Sequence, residues 1–152
     1  MGDSSSLPKL SYVYRSCNDA KQMRQFYKDI IGFKEVSYND GKWFVCSSGG
    51  GTTLQFWQSD KKLSEEEGWS WQPGNWVGES RSLSWAIEVD GPGLQRIYDA
   101  AKAAGIKMYH EAPVWSDDNE YWGLKLKDPM GFTIDLHYTP GTKPASTQWP
   151  GK

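Results

Sequence analysis

The feature that most constrains this chain is that part of it is written twice. Shifted by eighty residues without a gap, GTTLQFWQ falls on GFTIDLHY, so that Gly51 meets Gly131, Thr53 meets Thr133, Leu54 meets Ile134 and Phe56 meets Leu136. Both octets alternate their apolar residues, the pattern of a strand with one buried face. What precedes each octet repeats as well. LSYVYRSC (10–17) reads as a strand, and Asn18 and Asp19 suit the start of a helix. Met23, Phe26, Tyr27 and Ile30 form one helical stripe, closed by Gly32. FKEVSYN, KWFVCSS and TTLQFWQ follow as strands, with turns at 40–41 and 49–51. In the second half SLSWAIEV (82–89) is a strand and Pro92 suits the first turn of a helix. Leu94, Ile97, Tyr98 and Ala101 make that helix's stripe, and Gly105 ends it. IKMYHEA, YWGLKLK and FTIDLHY then read as strands, the last two joined by Asp128-Pro129-Met130-Gly131.

Self-similarity of this kind predicts an α+β fold: two tandem βαβββ modules forming cupped, partly open mixed sheets with helices on the outside. A half-sheet with one helix leaves its second face uncovered, so two copies face to face would close a cavity. The expected divisions are an N-terminal tail at 1–9, a first module at 10–57, a Trp-rich polar linker at 58–81, a second module at 82–138 and a flexible C-terminal tail at 139–152. The linker holds Trp69, Trp71 and Trp76. A structureless connection this long is usually functional, and three indoles suit docking on the body over a cavity mouth. Trp149 is the expected anchor of the tail.

Bulk properties remove several function classes. The formal net charge is −2 and no Lys/Arg cluster stands out, which argues against nucleic acid or an anionic membrane surface as partner. No apolar run approaches 18 residues, and MGDSSSLPKL lacks the basic start and apolar core of a secretory signal, so a cytoplasmic protein is expected. Gly2 and Ser6 fit a myristoylation start only loosely. Cys17 and Cys46 are too few for a disulfide scaffold and read as reduced thiols. Nine Trp, eight Tyr and five Phe are many rings for 152 residues, and such rings either fill a small core or hold a flat ligand.

On the last strand Asp135 and His137 share one face, opposite Ile134 and Leu136. They stand about 6.6 Å apart along the strand, far for joint binding of one ion. RQFYKDIIGF (24–33), WAIEVD, AAGIK and DPMGFTIDL together resemble the vicinal oxygen chelate superfamily, which includes glyoxalase I, extradiol dioxygenases, fosfomycin-resistance enzymes and bleomycin-resistance binding proteins. The resemblance covers roughly residues 10–138 and implies paired βαβββ modules, often completed in a homodimer. Metal-using members of that superfamily place ligands on the first and last strands of each module. Those positions fall here on Tyr12 (Ser11 if the register slips by one), Gln55, Ser84 and Asp135. Hydroxyls are poor first ligands for zinc, nickel or iron, so the resemblance implies a lost metal centre; if a divalent ion is held, Gln55 and Asp135 are its ligands. A rebuilt site would draw on Gln55, Asp135, His137 and Glu88; His110, near the end of a strand, is the one other imidazole.

The expected ligand-binding set is Tyr12, Tyr14, Gln55, Trp57, Ser84, Glu88, Lys125, Asp135 and His137, an aromatic wall with polar anchors. The leading expectation is a metal-independent protein that binds a small aromatic molecule, cationic if Asp135 and Glu88 set the preference, with no cofactor. Two alternatives stand beside it. One is a lyase, isomerase or dioxygenase-type enzyme with an altered metal site, or a metal-free one using Asp135 or His137 as general base. The other is an interaction domain whose Trp-rich linker docks another protein.

Overall fold

The computed structural model describes residues 7–71, 78, 80 and 82–151. They form two compact units, Met1–Leu63 and Ser64–Lys152, with the division falling inside the Trp-rich linker. The fold is α+β with two tandem modules, each a four-stranded mixed sheet with one helix, and no barrel closes among the described residues.

The first unit runs β1 (Tyr12–Cys17), α1 (Ala20–Arg24), a π-helical continuation (Gln25–Ile31), β2 (Lys34–Asn39), β3 (Trp43–Ser47) and β4 (Thr53–Gln58). Asp19 starts the helix, its carboxylate accepting from the Lys21 and Gln22 amides at 2.9 and 3.2 Å. Such a cap contributes about 1 kcal/mol. The stripe departs from the sequence reading in its last turn. Met23, Phe26 and Tyr27 are buried as expected, but Ile31 rather than Ile30 completes the face. A π-helix takes one more residue per turn, and that extra residue shifts the phase by one. Gly32 closes the element at φ +97°, its amide donating to the Tyr27 carbonyl at 3.1 Å. Beneath the helix, Tyr27 stacks on Phe56 at 4.7 Å, and Phe44, Cys46 and Leu54 fill in around them. Cys17 and Cys46 are buried thiols joined in no disulfide, and burial pushes the Cys46 thiol up to about 12. It is a packing residue rather than a nucleophile.

The second unit runs β5 (Trp85–Glu88), α2 (Gly91–Ala103), β6 (Val114–Ser116), β7 (Tyr121–Lys127) and β8 (Thr133–Tyr138). Asp90 caps α2 through the Gly93 amide at 2.7 Å, with Pro92 in the first turn. Leu94, Ile97 and Ala101 face Leu124, Leu126, Ile134 and Leu136 across the core. Trp149 donates to the Gln95 side chain at 2.6 Å and stands edge-on to Trp122, while Lys143 pairs with Asp117 at 2.9 Å.

Strand order is β1-β4-β3-β2 in one sheet and β5-β8-β7-β6 in the other. The outer pair is parallel in each, β1 with β4 and β5 with β8; the remaining pairs are antiparallel. The eighty-residue repeat holds in backbone register. Val45 pairs with Gln55 as Lys125 pairs with Asp135, and Phe44 with Phe56 as Leu124 with Leu136. One strand expectation fails. IKMYHEA is not a strand: it touches the sheet only at the Met108–Leu126 bridge, and pairing resumes at Val114 opposite Gly123. Six residues on this edge thus span three on β7, with Pro113, which has no amide to donate, closing the excursion. The strand that follows, Val114–Ser116, escaped the sequence reading because it is only three residues long.

Candidate functional site

Each sheet has one face against its helix and one helix-free face, and the candidate residues lie on the helix-free faces. In the first unit these are Tyr12 and Tyr14 on β1 and Gln55 and Trp57 on β4, with Tyr14 beside Gln55 in register. The rings are exposed: Tyr12 by 48%, Tyr14 by 60% and Trp57 by 44%. Tyr12 and Tyr14 lie 5.0 Å apart, and their hydrogen bond raises the Tyr14 hydroxyl above the ordinary phenol range. Trp57 donates to the Gln55 side-chain oxygen at 3.4 Å. Trp43, across from Trp57 in the β3–β4 ladder with ring centroids at 5.5 Å, adds a fourth ring. Sequence reasoning missed it, although its spacing from Val45 places both on Gln55's face.

In the second unit Asp135 lies between Ala86 on β5 and Lys125 on β7, and His137 lies between Glu88 and Gly123. Lys125 is fully buried and Asp135 is 8% exposed. Burial pushes the Asp135 carboxyl up to about 6, against the pull of the Lys125 ammonium and a hydrogen bond with Ser84. The same burial lowers Lys125, with Asp135 holding it up. One Asp135 oxygen, Oδ2, is buried with no hydrogen-bond partner among the described residues. His110 is lowered by burial and by the neighbouring Lys125. Glu88 is exposed, and His137 is half-buried with its ring 5.6 Å from that of Tyr121.

A segment of the linker covers part of this second face. The Glu66 amide donates to Met130 O at 2.8 Å, and the Ser70 amide to Thr133 Oγ1 at 2.9 Å. Lys127 donates to the carbonyls of Gly68 and Gly131, the latter at 2.6 Å. Trp69 stands edge-on to Tyr109 at 5.3 Å. Gly131 makes the close approach feasible: it sits at φ +77°, and a Cβ there would lie 2.2 Å from the Glu66 carbonyl oxygen. Trp71 is 63% exposed, and Trp76 lies outside the described residues.

The chemistry of these donors does not fit a divalent transition metal. At the second unit's ligand position, Asp135 already faces an ammonium and is hydrogen-bonded to Ser84. At the first, Gln55 offers a neutral amide that accepts from Trp57, and Tyr12 a phenol. Among the described residues no three His, Cys, Asp or Glu side chains converge.

Two tandem βαβββ modules with open mixed sheets define a protein of the glyoxalase type of fold. A sequence model of the Glyoxalase/Bleomycin resistance protein/Dioxygenase superfamily matches residues 9–136, and the chain belongs to that superfamily. Among solved structures it is similar to a glyoxalase/dioxygenase from Nostoc punctiforme (TM-score 0.68, 21% identity, 92% of this chain and 97% of that one). It is also similar to a fosfomycin-resistance FosX variant from Listeria monocytogenes, complexed with Mn(II) and a dihydroxypropylphosphonic acid (TM-score 0.64, 13% identity, 89% and 93%). A lactoylglutathione lyase from Agrobacterium tumefaciens has a TM-score of 0.58 at 15% identity, covering 88% and 96%. At these identities the likeness is one of fold. A search of curated proteins returned no match. No helix among the described residues is long and apolar enough to cross a membrane.

Proposed function

We propose that this chain binds a small, flat aromatic molecule without a metal centre, using the helix-free face of its first sheet as the stacking surface. The observation that carries the reading is the set of exposed rings around Gln55: Tyr12, Tyr14 and Trp57, joined by Trp43. Large rings left half-exposed on one sheet face offer apolar area and π-faces, and Gln55 supplies a polar group to orient a ligand. In the second unit Ser84, Glu88, Lys125, Asp135 and His137 make a polar face. There the Asp135 charge is offset by Lys125 and by its raised pKa, so the support for a cationic ligand is weaker than for a neutral one. The same reading has the chain pairing as a homodimer, which sedimentation would show as twice the 17.2 kDa chain mass.

Screening aromatic compounds by tryptophan fluorescence, followed by calorimetry, tests this. Trp57→Ala and Tyr14→Ala should each weaken the best compound about tenfold, or 1.4 kcal/mol. Undiminished binding in both variants would remove the aromatic wall as the site. A near-stoichiometric transition metal in protein purified without chelator, lost on Asp135→Ala, would overturn the metal-free part.

One observation favours a second reading. A buried carboxyl at about 6 with an unpartnered oxygen has the proton affinity of a general base near neutral pH. On that reading Asp135→Asn would abolish turnover of the substrate, whereas a pure binding protein would lose at most modest affinity.

A further inference from the structure

Trp69 is held by charge as much as by packing. The Lys127 ammonium stands 4.9 Å from its ring centroid and the Lys107 ammonium 6.0 Å, with Tyr109 edge-on at 5.3 Å. Lys127 is fixed by the Gly68 and Gly131 carbonyls, so this cation is aimed at the ring rather than swinging in solvent. Tyr109 is itself backed by Lys125 at 5.3 Å and by the His110 ring at 4.7 Å. The acids nearby are Asp135, which faces Lys125, and Glu66 and Asp128, which face Lys127. Around the indole stand two ammoniums and the Tyr109 ring. Yet Trp69 stays half-exposed, on a stretch with neither helix nor regular strand.

Ammoniums over a π-face attract any electron-rich ring, and they attract a ring bearing a carboxylate more strongly. We propose that the Lys107–Lys127–Tyr109 cradle is a binding site for a flat aromatic carboxylate, and that Trp69 fills it as a tethered placeholder which the ligand displaces. The cradle lies in the second unit, so this goes beyond the aromatic-wall reading and does not depend on it. A tethered side chain competes at an effective concentration of about millimolar, and affinity for free ligand falls by the fraction of time the seat is taken.

The test is calorimetric titration of the full chain with indole-3-acetate. Trp69→Ala should bind it about tenfold tighter than wild type, while Trp69→Phe, which keeps a ring in the seat, stays near wild type. Uncharged indole should bind Trp69→Ala about tenfold more weakly than indole-3-acetate. The gain should persist in a Trp57→Ala background; its loss there would place the ligand on the first unit's rings and overturn the proposal. A cooperatively melting Trp69→Ala that binds no tighter than wild type would overturn it too. Should Trp69→Ala not fold, wild type labelled with 5-fluorotryptophan gives the answer. The fluorine resonance absent from Trp69→Phe must shift on saturation with indole-3-acetate, and a stationary resonance overturns the displacement.

Discussion

The two modules carry the same strand register and opposite surfaces. At matched positions Val45 opposes Gln55 and Lys125 opposes Asp135. The first pair sits on a face whose rings are open to solvent; the second is buried, with Lys125 at 0% and Asp135 at 8% exposure. Chain outside the repeat lies against the second face. Residues 66–71 dock through Lys127, Thr133 and Met130, and the excursion at 109–113 brings Tyr109 and His110 against Lys125. A duplicated framework fixes which side chains share a face. What the face then does is decided by the segments laid over it.

The largest expected effect separates the matched pairs. Lys125→Met should destabilise the protein by about 3 kcal/mol at pH 8, because it strands a buried carboxylate. The loss should shrink at pH 5, where Asp135 carries its proton. Val45→Thr, at the equivalent half-exposed position, should cost about 0.5 kcal/mol or less. Urea unfolding at the two pH values measures all three, and equal losses at both sites would break the comparison.

A pH effect of similar size follows from Asp135 alone. Its carboxyl is raised from 3.8 to about 6 in the folded state, so between these values the native protein holds more protons than the unfolded one. Stability is therefore full below about pH 4 and falls as pH rises through 6, by about 3 kcal/mol in total. In Asp135→Asn that part of the pH profile should be flat, and an unchanged slope would show that another group carries it.

Matched glycines give a smaller contrast. Gly51 and Gly131 both have positive φ, +83° and +77°, but a Cβ on Gly51 meets nothing within 4 Å while one on Gly131 strikes the Glu66 backbone. Gly51→Ala should cost about 1 kcal/mol and Gly131→Ala about 2 or more. Hydrogen exchange of the Glu66 and Ser70 amides should accelerate only in Gly131→Ala. The smallest difference is expected at the helix starts, where Asp19→Ala and Asp90→Ala should each cost about 1 kcal/mol. A thermal-melt series that ranked these two far apart would mean that one cap is not formed.

Much of this was legible in the sequence, for a physical reason. Periods of two and the paired glycines are local properties, so the strands around Phe56 and Leu136, their register, and the caps at Asp19, Gly32 and Gly105 could be read directly. Ile31 could not, because the switch to π-helical spacing in 25–31 shifts the buried face after Tyr27 and leaves no mark in the pattern. IKMYHEA alternates like a strand, yet Pro113 and the excursion keep it off the ladder. Placing Lys125 on the same face as Asp135 required only parity. Its complete burial did not follow from parity, since Tyr109 and His110 come against it from the excursion after Met108, which is not paired in the ladder. Trp43 was missed because a single aromatic on a short strand reads as core until its cross-strand partner is known.

The most direct test of the account is the titration of the Asp135 side-chain carboxyl, followed by carbon-detected NMR in the wild-type protein. A buried, lysine-faced carboxyl predicts a midpoint near 6. A midpoint near the ordinary 3.8 would mean that this face is open to water like its counterpart in the first unit, and would contradict the asymmetry on which the account rests.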